Sequence, residues 1–130
     1  MIHYHAYSWA GSAEARNKAA ERHPAAGALF AASRIPPEVT KDNLRRPASA
    51  VEGTFTDPAA AAAWLIEKYR ENPPSDPSNP LTAEQKEQFA TTRLSGRSDA
   101  VIGHYNGMTF VSASVVCCPS EGYPCPAPPK

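Results

Sequence analysis

The sequence predicts one α+β domain, in which an antiparallel sheet of ferredoxin-like outline carries alanine-rich helices on one face and ends in a β-hairpin. Three observations predict this class. Strand-like and helix-like segments alternate along the chain, the helical segments carry stripes of alanine, and DAVIGHYNGMTFVSASVV has the pattern of a hairpin. The domain is expected to span 1–118, followed by a proline-rich, flexible tail over 119–130 that the fold does not need.

Three segments in the first half of the chain predict strands. They are the aromatic, alternating run at 2–9, the segment AGALFAASRI at 26–35 and the segment VEGTFT at 51–56. The segment at 36–49 begins with two prolines and has no regular period, so it predicts a loop.

Three further segments predict helices. Ser12 is a suitable N-cap for a helix that continues to about Arg22. Asp57 and the proline after it predict the start of a second helix, which continues to about Arg70. Thr82 begins a capping box for a third, polar helix. The first helix is expected to pack closely on the sheet through Ala15, Ala19 and Ala20.

The hairpin at 99–116 is predicted to turn at Asn106-Gly107, which is the strongest short-range signal for a two-residue turn. Neither face of this hairpin is polar enough to be an ordinary solvent-exposed surface. We therefore expect one face to meet the alanine-lined helices and the other to meet a second subunit. Phe110 is expected to cover Gly103, since a large ring can lie over a strand glycine.

Composition limits the classes of partner. The chain has 13 basic and 13 acidic residues, and this balance argues against nucleic acid or an anionic membrane surface as a partner. No apolar run approaches the roughly 18 residues of a membrane span. The opening MIHYHAYSWAGS lacks the pattern of a signal peptide, so a cytoplasmic protein is expected. Leu, Ile, Val and Phe together number only 19, which predicts a thin core and favours a homo-oligomer.

Cys117, Cys118 and Cys125 leave three alternatives open. A structural zinc site needs four ligands, and adjacent residues of a strand point to opposite faces, so Cys117 and Cys118 chelate poorly together. His3 or His5 could supply a fourth ligand, although nothing in the spacing requires it. A Cys118–Cys125 disulfide is the second alternative, and free thiols in a mobile tail are the third. We expect free thiols, no metal and no cofactor.

Two turns suit a small anionic ligand. In the first, Gly11 and Ser12 lie where a predicted strand runs into a predicted helix, and the backbone N–H groups of a helix N-terminus attract phosphate or carboxylate. Trp9 beside them could stack on a base. An ordinary capped helix is the alternative interpretation.

In the second turn, Arg93 and Arg97 flank Ser95-Gly96 and could present amides and guanidinium groups to a phosphate. Arg34 could add positive charge. The alternative is that each arginine is an ordinary surface residue.

A catalytic alternative would use His104 beside Tyr105, with Glu52 as the carboxylate. It would make the protein a small tailoring enzyme of secondary metabolism with its site at a subunit interface. A third possibility is a protein-binding module whose sheet face docks a partner.

The opening HYHAYSWAGSAEA, a strand that runs into a small-residue turn and a helix, is followed by FAASRIPP and later by the C-terminal hairpin. In this outline the chain resembles the phage anti-Thoeris proteins, which sequester cyclic ADP-ribose signals. The resemblance implies a small, non-catalytic oligomer that holds a nucleotide between subunits, and no binding residues are carried over from it. We therefore expect an oligomeric binding protein that sequesters a small anionic, nucleotide-like ligand.

Overall fold

A computed structural model describes residues 2–76 and 81–127 and has the α+β fold that the sequence predicts. The strands are β1 His3–Ser12, β2 Gly53–Phe55, β3 Ala100–Asn106 and β4 Thr109–Cys118. They form an open sheet in the order β2-β1-β4-β3, and each neighbouring pair is antiparallel. β1 and β4 are the two central strands of this order, and they pair with each other along their whole lengths. The finer, ferredoxin-like detail of the prediction is not confirmed by this order.

The α-helices of the described residues are α1 Ala13–Arg16, α2 Ala28–Ala32, α3 Pro58–Glu71 and α4 Ala83–Ser95. Short 3-10 helices lie at Ala19–Arg22, Pro24–Ala26, Thr40–Arg45 and Ala48–Ala50. α3 and α4 begin as predicted: Asp57 accepts the N–H of Ala59 at 3.1 Å, and Thr82 and Gln85 form the reciprocal capping box. Within the described ranges, the chain has no helix with the length and apolar character that crossing a membrane requires.

The first predicted helix is shorter than expected. Ser12 does cap it, since its Oγ accepts the N–H of Ala15 at 3.0 Å, but α1 ends at Arg16 after one turn. Ala19 and Ala20 are exposed, so the predicted inward face is wrong there. Short helices are marginal without tertiary packing, and alanine buries too little area to supply it.

The strand predicted at 26–35 is wrong, and α2 takes its place. Gly27 adopts a φ of +62°, which breaks any extended run, and α2 follows directly. Phe30 is the buried residue of α2, and the guanidinium carbon of Arg46 lies 4.3 Å from the centre of its ring. Arg46 also donates Nε–H to the carbonyl of Phe30 at 3.2 Å. Alanine and leucine favour a helix, and this segment finds its burial under Arg46 rather than beside another strand.

α3 and α4 cover one face of the sheet and build the larger core. The helices contribute Ala61, Ala62, Leu65, Ala90 and Leu94, and the sheet contributes Tyr4, Ala6, Ala100, Ala113, Val115 and Cys117. The hydroxyl of Tyr4 donates to the carbonyl of Leu94 at 2.8 Å and so ties β1 to α4. Small residues therefore lie on both sides of the interface between α3 and the strands.

The opposite face of the sheet is covered over one half only. A second core lies there, made of Tyr7, Leu44, Ala50, Val116 and Cys118, with Val51 and Tyr123 at its margin. The half at β3 is open, where Val101 is 52% and Tyr105 43% exposed. The chain itself therefore covers much of the surface that the sequence analysis assigned to a second subunit.

The hairpin has the predicted faces but a shifted turn. Asn106 pairs with Thr109, so the two turn residues are Gly107 and Met108 rather than Asn106 and Gly107. Gly107 has a φ of +61°, which fits a turn that needs a positive φ at its first central residue. Phe110 covers Gly103 as expected, because a Cβ on Gly103 would lie 3.1 Å from the ring.

Part of the segment 119–127 packs on the sheet and on the segment that covers it. Tyr123 packs on the second core, and the guanidinium carbon of Arg45 lies 4.6 Å from the centre of its ring. Lys41 donates to the hydroxyl of Ser120 at 2.9 Å. The domain boundary at 118 stays a prediction, and residues 128–130 of the predicted tail lie outside the described residues.

Candidate functional site

The open half of the sheet and the segment that covers the other half enclose a cavity of about 370 Å³, here called the open-face groove. It is lined by Arg16, Arg22, Pro36, Asn43, Val101, Gly103, Phe110, Ser112 and Ser114, among others. Its volume is within the range of sites that bind small molecules.

The arginines give this groove a positive character. The guanidinium carbon of Arg16 lies 4.2 Å from the ring centre of Phe110, and Arg22 donates Nε–H to the carbonyl of Pro36 at 2.8 Å. Glu38 is the acidic residue among those that line the groove. Two fixed cations beside an aromatic ring suit an anionic ligand that also carries a flat ring.

The groove continues into a smaller space between β1, β4 and the covering segment, here called the inner pocket. Pro36, Asn43, Ser112 and Ser114 line both spaces, and Tyr7, Ser8, Trp9 and Arg34 complete the inner pocket. Its free space is about 10 Å³, which is room for one water molecule or one ligand oxygen.

Two buried side-chain donors lack an acceptor among the described residues, and both belong to residues that line these connected spaces. They are the hydroxyl of Tyr7 and Nε of Arg16. Leaving a buried donor unpaired costs about 1–3 kcal/mol, so such groups are rare in folded proteins. Burial raises the pKa of Tyr7, and the nearby thiols of Cys118 and Cys125 raise it further, so the hydroxyl keeps its proton. An oxygen of a bound molecule would satisfy either donor.

Trp9 and Arg34 are the two sequence-predicted site residues that the structure brings together, in the lining of the inner pocket. Three hydrogen bonds hold the guanidinium group of Arg34 in place. Its Nη1 donates to the carbonyls of Ala31 and Ser33 at 3.1 and 3.0 Å, and its Nη2 donates to Ser49 at 3.3 Å. The role of both residues in ligand contact stays a prediction.

Gly11 makes room for Trp9, and Ser12 caps α1. A Cβ on Gly11 would lie 2.5 Å from the indole ring, so the glycine makes room for Trp9 to fold back over β1. α1 has one turn only, and the Ser12 side chain already accepts an N–H from that turn. The long helix N-terminus on which the anion interpretation rests is therefore not formed here.

The turn at Arg93–Arg97 uses its amides to end α4. The N–H of Arg97 donates to the carbonyl of Leu94 at 3.0 Å, and the N–H of Ser98 donates to the carbonyl of Arg93 at 2.9 Å, which is the Schellman pattern. The Nε–H of Arg93 donates to the carbonyl of Asp99 at 2.9 Å. A helix C-terminus is the negative end of the helix dipole. The turn therefore lacks the free amides that phosphate binding would use.

Arg93 also lies apart from the groove. It lines a cavity with Leu65 and Ala90 on the helix side of the sheet, whereas Trp9 and Arg34 lie on the other side. A ligand role for Arg93 and Arg97 stays a prediction, separate from the groove.

The catalytic alternative uses His104, Tyr105 and Glu52, and these side chains have different contacts. His104 lies on the helix side of β3, where its Nε2 meets the carbonyl of Asn72. Glu52 accepts the backbone N–H of Ser8 at 2.7 Å and also the Ser8 hydroxyl. Tyr105 is on the opposite face of β3 from His104. Within the part of the chain that the structure describes, Glu52 therefore does not orient His104.

A cluster of metal-ligating side chains lies at the other end of β1. It consists of His3, His5, Cys118 and Cys125, whose ligand atoms all lie within 4.8 Å of one another, and is here called the His–Cys cluster. Sγ of Cys125 is 3.2 Å from Nε2 of His3 and 3.6 Å from Nε2 of His5. Cys117 faces the helix-side core instead, which confirms that the two adjacent cysteines do not chelate together.

Tyr7, Arg16, Arg22 and Asn43 line these spaces and were not predicted as site residues. The strand predicted at 26–35 would have extended the sheet. The chain forms α2 there instead and folds back over the sheet, so the groove was not expected. His3 and His5 were noticed, but their meeting with Cys118 depends on a pairing between the two ends of the chain.

Comparison of this chain with protein-family models, with curated proteins and with solved structures gave no match.

Proposed function

We propose that this protein binds a small anionic, nucleotide-like ligand in the open-face groove and releases it unchanged. The observation that carries the proposal is that two residues lining the groove and its inner pocket, Arg16 and Tyr7, each have a buried donor without a partner among the described residues. Without a ligand, these desolvated and unpaired groups lower the stability of the protein. A bound oxygen acceptor removes that cost, which adds to the affinity.

The lining suggests how such a ligand would lie. Arg16 and Arg22 would bind a phosphate or carboxylate group, since guanidinium groups bind such oxygens with charge-assisted hydrogen bonds. The ring of Phe110 would stack on a flat base at the floor of the groove. One ligand oxygen would enter the inner pocket beside Tyr7 and Trp9.

The proposal extends to a homo-oligomer in the cytoplasm. Val101 and Tyr105 are exposed at the open half of the sheet beside the groove, so a second copy seated there would cover the ligand. This arrangement agrees with what the resemblance to the anti-Thoeris proteins implies, namely sequestration of a cyclic ADP-ribose signal between subunits.

Isothermal titration with inorganic phosphate, ADP-ribose and cyclic ADP-ribose tests the proposal. Binding of at least one nucleotide is expected, and mass spectrometry of the released ligand should find it unchanged. Arg16→Ala should weaken binding about ten-fold to a hundred-fold, because a charge-assisted hydrogen bond contributes about 1.5–3 kcal/mol. Arg70→Ala is the matched control, since Arg70 is paired with Glu84 on the helix side.

Tyr7→Phe gives a second, more selective test. Removing only the hydroxyl should weaken ligand binding, yet raise the free energy of unfolding of the empty protein by about 1 kcal/mol, because an unpaired donor disappears. Absence of binding to all three probes, or equal affinity of wild type, Arg16→Ala and Tyr7→Phe, would overturn the groove as the site. A chemically altered ligand would instead support an enzyme.

The same titration decides the role of the second turn. If Arg97 contacts the ligand, Arg97→Ala should weaken binding, and Arg97→Lys should rescue it only in part, because an ammonium cannot reproduce the planar guanidinium. Unchanged affinity in both variants would remove Arg97 from the site.

A further inference from the structure

The His–Cys cluster combines residues from three parts of the chain. His3 and His5 are two apart on β1, so their side chains share one face of the sheet. Cys118, at the end of β4, is the cross-strand partner of His3. Cys125 comes from the segment after β4, which turns back and places its sulfur between the two imidazole rings.

The separations fit a single metal ion with four ligands. Zinc bonds of about 2.0 Å to nitrogen and about 2.3 Å to sulfur give edges of about 3.3–3.8 Å in a tetrahedron. The distances from Cys125 Sγ to His3 Nε2 and His5 Nε2, 3.2 and 3.6 Å, are close to such edges. The largest separation in the cluster, up to 4.8 Å, needs a shift of about an ångström.

The surroundings also suit a metal. His3, His5 and Cys118 are each at least 96% buried, while Cys125 is exposed and closes the cluster from outside. Two thiolates and a divalent cation together carry no net charge, so the loaded centre is compatible with this burial.

The second coordination sphere is present as well. Nδ1 of His5 lies 3.0 Å from the hydroxyl oxygen of Thr54, which leaves Nε2 to face the cluster. Metal-bound histidines commonly donate their other ring N–H in this way.

We propose that His3, His5, Cys118 and Cys125 bind one zinc ion in a closed tetrahedral site that fastens the segment after β4 to the sheet. Two thiolates and two imidazoles favour zinc over the hard cations, which prefer oxygen ligands. Four protein ligands leave no position for substrate or water. The site is therefore structural, and it is separate from the groove proposed to bind a ligand.

A disulfide between Cys118 and Cys125 is the competing chemistry. It would remove both thiolates, and it needs an oxidant. Both sulfurs are free thiols in the structure, and each imidazole approaches the sulfur of Cys125. The two states differ in mass by two hydrogens, so intact mass spectrometry separates them.

The test uses the full chain purified under reducing conditions. Elemental analysis should find one zinc per chain. Replacement of zinc by cobalt should give the strong visible bands of tetrahedral Co²⁺ together with thiolate-to-cobalt charge transfer. Chelator should lower the melting temperature of the wild type.

Cys125→Ser is the informative variant because Cys125 is exposed, so its replacement leaves the buried part of the sheet intact. It should lose stoichiometric zinc and the effect of chelator on melting. Cys117→Ala is the matched control: it removes the neighbouring buried thiol on the opposite face and should retain one zinc.

Three results would overturn the proposal. They are a reduced wild type that takes up neither zinc nor cobalt, a Cys125→Ser variant that keeps wild-type zinc affinity, and an equal loss of zinc in Cys117→Ala. An isolated protein lighter by two hydrogens that still binds no zinc after reduction would establish the disulfide instead. Recovery of zinc binding on reduction would support the zinc site.

Discussion

His5 and Thr54 are cross-strand partners, and Nδ1 of His5 lies 3.0 Å from the hydroxyl oxygen of Thr54. The contact fixes the orientation of a fully buried imidazole, and Nε2 consequently points at Cys125. β2 has only three residues, and Thr54 is the middle one. The shortest strand of the sheet thus orients one ligand of the proposed zinc site.

Thr54→Val should weaken zinc binding about ten-fold to a hundred-fold, the usual effect of losing a hydrogen-bond partner of a metal-bound histidine. The side chains of Thr and Val have nearly the same shape, and Thr54 is exposed, so the fold should be kept. Competition with a chromophoric chelator measures the affinity. Thr56→Val, two residues further along, is the control. Equal affinities of all three proteins would show that the Thr54 contact does not support the metal.

The stability of the metal-free protein should fall on acidification from about pH 6.5. Burial, with a smaller contribution from His3, lowers the pKa of His5 to about 4, against an ordinary value of 6.5. Between these values the unfolded chain binds a proton that the folded chain excludes, so the free energy of unfolding decreases as pH falls, by up to about 1.4 kcal/mol per unit. The contribution is constant above pH 6.5 and below about pH 4.

Urea unfolding in the presence of chelator measures this slope. The range from pH 6.5 to 5 is the most informative, because few carboxylates titrate there. His23→Gln removes an exposed histidine that faces Glu38 and should leave the slope unchanged. A flat stability across this range would contradict the burial of a neutral His5.

Truncation after Pro119 should destabilise the fold, contrary to the expectation from sequence. Tyr123 packs at the margin of the second core and under the guanidinium of Arg45, and its loss should cost about 1–2 kcal/mol. Tyr123→Ser in the full chain should reproduce most of the loss, whereas Glu121→Ala, at an exposed neighbour, should not. Thermal unfolding with chelator present separates this packing from any effect of zinc. Equal melting temperatures of the truncated and full chains would restore the original view of a dispensable tail.

Self-association at micromolar concentration is expected from the thin aliphatic content and the open half of the sheet. Light scattering should give at least a dimer. Val101→Lys places a charge on the open half, where Val101 is exposed, and should shift the protein towards monomer. Phe89→Lys, at an exposed position on α4, is the control. A wild type that stays monomeric would remove the oligomer, and disruption by Phe89→Lys alone would move the interface to the helix side.

Local signals in the sequence were sufficient for half of the fold. The capping box at Thr82, the proline after Asp57 and the alternation of the hairpin each depend on residues within a few positions, and each prediction is confirmed. The strand predicted at 26–35 is wrong although alanine and leucine favour a helix there. A helix as short as α2 is marginal alone, and its buried residue, Phe30, packs against Arg46 sixteen residues later.

The two candidate sites depend on distant pairing and were not predictable in the same way. His3 meets Cys118 only because β1 pairs with β4 from end to end, and Tyr7 loses solvent only because the segment around Leu44 folds over it. The two predicted anion sites stay predictions, and the structure adds local detail that the sequence did not show. At Arg93–Arg97 the sequence showed a small-residue turn, but not that α4 would use its amides.

The glycine at the end of α4 lies one position earlier than is usual, because Gly96 is the C-cap and Arg97 follows it. Arg97 occupies the residue just beyond the cap with a φ of +64°, where glycine is preferred, while Gly96 has a φ of −87° that any residue adopts. Arg97→Gly should raise the free energy of unfolding by about 0.5–1 kcal/mol, because the left-handed conformation no longer opposes a Cβ. Gly96→Ala should also stabilise, since its Cβ would meet the nearest carbonyl oxygen at an ordinary 3.5 Å. Arg97→Ala is the control: it removes the same side chain but keeps the unfavourable φ, so it should not stabilise. Urea unfolding with equal m-values measures all three, and an Arg97→Gly variant no more stable than Arg97→Ala would contradict the left-handed backbone at this position.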